Sequence, residues 1–191
     1  MRKHILLMVG LAIVTLAQAA CGSNANSSAP NSQPATTQAS SDTSTGGGLV
    51  QGTIGDTLTV EGWDHVVKAE VTLKDTQRIS EAENDGYEIH PALFGVLVTV
   101  RNAGEGLYDD NSVRSFVLID DQDVSRNAGY YSDELGDLFD PLEEWRIGPG
   151  DQRTGWVYFE LKPQRKPRLV QFTADSGNEG PDMNVGEWSL Q

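Results

Sequence analysis

Leu93-Phe94-Gly95-Val96-Leu97-Val98-Thr99-Val100-Arg101 is the stretch that decides the fold. Phe94, Val96, Val98 and Val100 recur at every second position, the period at which strand side chains point to one face of a sheet. Leu97 makes the second face partly apolar too, which places this strand in the middle of a sheet. Asn102-Ala103-Gly104-Glu105-Gly106 follows, a run that accepts left-handed turn conformations, so the strand closes at Asn102 and the chain crosses to a second sheet.

The same period extends outward on both sides. Thr57–Glu61 carries it, and residues 65–73 set Val67, Ala69, Val71 and Leu73 against Lys68, Glu70 and Thr72, beginning at His65. Residues 114–120, 124–126, 154–161 and 168–173 follow between Gly, Asn, Asp and Pro turns, and 185–190 adds a last strand. Pro149-Gly150 fixes the turn before the strand whose Val157, Phe159 and Leu161 point inward. One short helical piece is predicted at residues 132–138. Short strands without a helical period or an internal repeat predict an all-β fold, an immunoglobulin-like antiparallel β-sandwich.

The N-terminus reads differently. Arg2 and Lys3 precede an apolar run, residues 5–17, of signal-peptide length and too short to span a membrane. Ala19-Ala20-Cys21 then resembles a bacterial lipobox, which implies cleavage after residue 20 and a lipid on Cys21. Gln18 stands where an aliphatic residue is usual, and Ala17-Gln18-Ala19 also suits an ordinary signal peptidase, which would release a secreted protein. Cys21 is the only Cys, so no disulfide forms within the chain, and lipidation accounts for the unpaired thiol.

Residues 22–48 are nearly all Ser, Thr, Asn, Gln, Ala, Pro and Gly, with Asp42 the sole charge. Such a stretch buries no core and reads as a disordered linker holding the domain on the order of 28 Å from its anchor. The expected organisation is a signal peptide at 1–20, a lipidated tether at 21–48 and one sandwich domain at 49–191.

The net charge is −14, and it becomes −16 when the leader takes Arg2 and Lys3 away. That surface repels nucleic acid and anionic headgroups. With no Ser, Cys or phosphate-cradling motif to supply chemistry, the chain is not expected to be an enzyme. His65 beside Asp64 and His90 near Glu88 form at most a sparse metal set, as exposed or capping His residues do elsewhere. Asp120, Asp121 and Asp123 offer hard oxygens to calcium, with Asp109-Asp110 as a further acidic pair, though the same residues serve a solvated hairpin turn. No other cofactor is expected.

Tyr130, Tyr131, Trp145, Trp156 and Tyr158 form the candidate contact patch, the first three mixed with carboxylates in the long stretch 129–145. The competing reading has that loop fold back and bury its rings against its own sheet.

Gly55-Asp56-Thr57-Leu58-Thr59-Val60, Phe94 through Asn102, and Ile147-Gly148-Pro149-Gly150 leading to Thr154-Gly155-Trp156-Val157-Tyr158-Phe159-Glu160 resemble, in order and spacing, the domain-of-unknown-function 4352 family. The likeness covers roughly residues 49–175. It implies an immunoglobulin-like, telokin-like domain on a secreted protein or lipoprotein of bacteria, with no catalytic residues to carry over. The reading is therefore a monomeric, non-enzymatic cell-surface lipoprotein, outside the cytoplasm and held to the membrane by Cys21, whose domain engages an unknown extracellular protein or glycan. The alternative is a structural or accessory envelope lipoprotein without a ligand, with a hydrolase a distant third.

Overall fold

In the computed structural model the alternation around Val96 and Val98 becomes the middle of a four-stranded sheet. The structure describes residues 48–62, 65–80, 92–130, 140–174 and 183–191. Contacts divide the chain into Met1–Ser41 and Asp42–Gln191, and all described residues fall in the second unit. Leader, Cys21 and tether up to residue 47 thus lie outside the described residues, as do His90, Tyr131 and the helix expected at 132–138.

The elements in chain order are β1 (Leu49–Thr53), β2 (Thr57–Glu61), β3 (Lys68–Ile79), β4 (Leu93–Asn102), β5 (Tyr108–Asn111), the single turn α1 (Ser112–Ser115), β6 (Phe116–Asp120), β7 (Ser125–Asn127), β8 (Glu144–Ile147), β9 (Gln152–Glu160), β10 (Pro167–Thr173) and β11 (Val185–Ser189). Sheet order is β2-β3-β4-β9 on one side and β1-β11-β10-β6-β7 on the other, with β5-β8 as a separate ribbon. This is the predicted all-β sandwich. The connections from β4 towards β6 and from β9 to β10 carry the chain between the two sheets.

Val60, Val71, Val98 and Val157 face inward from the four-stranded sheet and meet Phe116, Leu118, Val170, Phe172 and Trp188 from the other. Each such side chain contributes about 1.5–3 kcal/mol by leaving water. Trp188 also satisfies its indole N–H, which donates to the Asp56 carbonyl at 3.1 Å. That contact ties the last strand to the β1–β2 turn, where Gly55 adopts φ 98° and the Asp56 carboxylate accepts from the Thr53 amide and hydroxyl. These Thr53 hydrogen bonds lower the Asp56 pKa.

Asn102 closes β4 as expected, and it does more. It is wholly buried, its amide donates to the carbonyls of Gly106 and Ile147, and its side-chain oxygen accepts from the Gly104 amide. One side chain thereby fixes the crossing between sheets and docks β8 beside it. Gly150, at φ 84°, completes the adjoining turn through its own amide to the Asn102 carbonyl at 2.8 Å.

The structure corrects the strand boundaries read from the sequence in several places. β3 begins at Lys68, because His65 sits in the preceding turn at φ 60°. It also runs on to Ile79, since a bulge between Leu73 and Asp75 breaks the alternation that marks a strand. Arg114 belongs to the α1 turn, capped by the Asn111 side chain, so the next strand starts at Phe116. β1 was not predicted and is not antiparallel: it pairs in parallel with β11, Gln51 opposite Glu187.

Candidate interaction site

The expected aromatic patch is divided: of its four described members, Trp145 and Tyr158 are internal. Trp145 lies in β8 with only 3% of its surface exposed, edge-on to Tyr108 at 5.9 Å and to Phe116 at 6.3 Å. It is a core residue, and among the described residues its indole nitrogen has no hydrogen-bond partner. The burial pattern of β8, alternately exposed and buried, follows from strand pairing with β5, so the loop expected over 129–145 gives way at Glu144 and Trp145 to a ribbon whose inner face packs on the core.

Trp156 and Tyr158 do share the outer face of β9, as their spacing predicts. Their rings lie 6.3 Å apart and nearly parallel, at 19°. Both lie over Gly95 of the neighbouring strand: a Cβ there would stand 2.7 Å from the Tyr158 ring and 3.1 Å from Trp156. Yet Tyr158 is 2% exposed, packed against Ile79 and Leu93, and burial pushes its phenol pKa up. Trp156 is half-buried, and Tyr130, 48% exposed, is the one described aromatic of the set that reaches water freely.

The far edge of β9 is covered by the ends of the acidic loop. Gly129 donates to the Tyr158 carbonyl at 3.0 Å, while Trp156 exchanges bonds with Asp140 and Leu142 at 3.1 and 2.8 Å. Close approach there requires Gly155, whose added Cβ would meet the Asp140 carbonyl at 2.8 Å. Fold-back of the loop, the competing reading, is what the described ends show.

The Asp120–Asp123 turn is occupied by arginines. Asp120 is 0% exposed; Arg126 and Arg165 both donate to its carboxylate, at 3.0 to 3.3 Å, and the amides of Gln122 and Val124 add two further bonds. Burial raises its pKa, but the Gln122 amide, Arg126, the Val124 amide and Arg165 together outweigh this and bring it to about 2. Asp121 pairs with Arg165 at 3.6 Å, and Asp123, at φ 59°, pairs with Arg168. The carboxylates proposed for calcium therefore already hold guanidinium groups, and Asp120 is a clamp rather than an open ligand.

Elsewhere, Asp109 faces Arg146 at 3.8 Å, whereas Asp110 is buried and accepts from the Tyr108 hydroxyl and the Asn111 amide. His65 lies 3.2 Å from Glu61, which also pairs with Lys68 and is held below its usual pKa chiefly by that lysine. Among the described residues, no group of three or more His, Cys, Asp or Glu is placed to hold a metal ion.

Sequence reading missed a second held carboxylate. Glu187 in β11 is 9% exposed and accepts from the side-chain amides of Gln51 in β1 and Gln171 in β10, each at 2.8 Å. Gln51 lies 136 residues away in the chain, so only strand register brings the three together.

No protein-family model matches the chain, and no curated protein matches it. Solved structures do. The secreted protein MPT63 of Mycobacterium tuberculosis shares 19% identity over 74% of this chain and 97% of its own, with a TM-score of 0.52. The yjhA protein of Bacillus subtilis shares 18% over 73% of this chain and 98% of its own, with a TM-score of 0.51. At these identities the likeness is one of fold: this chain is similar to secreted and bacterial β proteins of nearly its domain's length.

Proposed function

We propose that the chain is a non-enzymatic interaction module of the bacterial envelope, exported by residues 1–20 and held outside the cytoplasm through a lipid on Cys21. The observation that carries the reading is how the domain spends its chemistry. Asp120, the carboxylate with the most perturbed environment, is kept ionised by two arginines and two amides for structure. What remains for the outside is a pair of sheet faces on a tethered frame.

The immunoglobulin-like assignment and membership of the domain-of-unknown-function 4352 family belong to the same proposal. They rest on the order of the three landmark segments, two of which prove to be the central strand β4 and the Pro149-Gly150 turn into β9. A second reading, an accessory envelope lipoprotein with no ligand, is favoured by the burial of Trp145 and Tyr158, which removes two of the four described members of the aromatic patch.

The anchor is tested by Cys21→Ala and cell fractionation. The variant is expected in the soluble or secreted fraction, with the parent chain in the membrane. A variant retained in the membrane contradicts the anchor, and a parent chain found in the medium favours ordinary secretory cleavage beside Gln18.

A further inference from the structure

The outer face of the five-stranded sheet is unusual for so acidic a chain. Strand register sets Gln51, Glu187, Gln171, Val117 and Asn127 in one row across it. In the rows above and below, Leu49, Val185, Leu169 and Ile119 alternate with Ser and Thr. Across these rows Glu187 is the single charged side chain. The opposite outer face carries Glu61, Lys68, Glu70, Asp75, Arg101 and Glu160, several joined in ion pairs.

Depletion of charge with retained apolar area is the composition of an interface centre. Glu187 then asks for explanation. It is nearly buried, and among the described residues no cation reaches it; two neutral carboxamides hold its oxygens in place. Each oxygen keeps acceptor capacity after taking one N–H. Gln51 is exposed and lies on an edge strand, so turning it aside opens the carboxylate from that side.

Building on the interaction module proposed above, we infer that this face docks a protein partner that sets one arginine or lysine, flanked by apolar side chains, against Glu187. Charge selects that occupant. A second copy centred on Glu187 by a two-fold axis would set carboxylate against carboxylate, and the rows around it offer no Arg or Lys to answer the charge in any other register. An anionic lipid surface meets the same carboxylate on a chain of net charge −14. A guanidinium or ammonium group supplies the missing partner, and the neutral surround supplies the desolvation that makes one charge pair selective.

Photo-crosslinking on intact cells of the source bacterium tests this with the full chain. Benzoylphenylalanine replaces Leu49 or Ser125, exposed residues at opposite edges of the face, and Thr57, an exposed residue of the other face, serves as control. The expected result is one discrete protein adduct from Leu49 and Ser125. Its crosslinked peptide carries Arg or Lys beside apolar residues, and its yield falls about tenfold in Glu187→Gln and on raising ionic strength. A thermal melt shows that the variant is folded. An adduct with a second copy or with lipid, or one unchanged in Glu187→Gln, overturns the inference. Crosslinking from Thr57 alone overturns this face but leaves the interaction module standing, whereas no adduct from any position defeats both.

Discussion

Two carboxylates on the five-stranded sheet are almost wholly buried, and they are held in opposite ways. Asp120, at the end of β6, accepts from two guanidinium groups and two backbone amides, so its charge is neutralised within the fold. Glu187, in the middle of the sheet, accepts from two carboxamides that carry no charge. The first arrangement closes a structure: it joins β6, β7 and the turn before β10, while Arg78 reaches from the other sheet to the Arg165 carbonyl at 2.8 Å. The second leaves a charge without a counterion among the described residues, on a face otherwise nearly free of charge. One site is complete by itself and the other is complete only with something outside.

Removing the carboxylate is the hardest test of that difference. Asp120→Ala takes the carboxylate from Arg126, leaves Arg165 only the longer contact to Asp121 at 3.6 Å, and strands two amides. Urea unfolding should show a loss on the order of 3–5 kcal/mol, as for other broken buried ion pairs. A loss below about 1 kcal/mol would break the comparison at once.

Acid should act through the same residue. Because Asp120 in the fold is held at about 2, below the 3.8 of a free aspartate, its stabilising contribution is fully present above pH 4 and disappears as pH falls towards 2. Asp120→Asn should therefore flatten the fall in melting temperature across that window, and an unchanged slope would show that other carboxylates govern it. A smaller effect is expected at the second site: Gln171→Ala removes one of two neutral donors to Glu187 and should cost about 1 kcal/mol by denaturant titration.

The sequence made the frame legible because local period and burial agree there. Phe94, Val96, Val98 and Val100 all lie inside, as does the Val157, Phe159 and Leu161 set. Legibility failed where geometry departs from period two or comes from distant pairing. The β3 bulge hid residues 74–79, and the parallel edge strand β1 is too short and too exposed to signal itself. Trp145 carries the same letters whether its strand packs inward or faces water; its pairing opposite Asp110 decides. The Asp120 turn looked like a cation site because nothing in Asp120-Asp121-Gln122-Asp123 announces Arg165, 45 residues on. Glu187 had no local signal at all, since Gln51 and Gln171 reach it through sheet register alone.

The comparison rests most directly on the smallest effect, the stability of Glu187→Gln measured beside Asp120→Asn in the same denaturant titration. A glutamine at 187 keeps one acceptor oxygen, and the neighbouring glutamine that meets its NH2 can turn its own carboxamide oxygen towards it, so both hydrogen bonds are kept without the charge. The unfolding free energy should then stay within about 0.5 kcal/mol of the parent, while Asp120→Asn loses several-fold more. If Glu187→Gln unfolds as readily as Asp120→Asn, the Glu187 charge is part of the fold's own support and is not held ready for a partner.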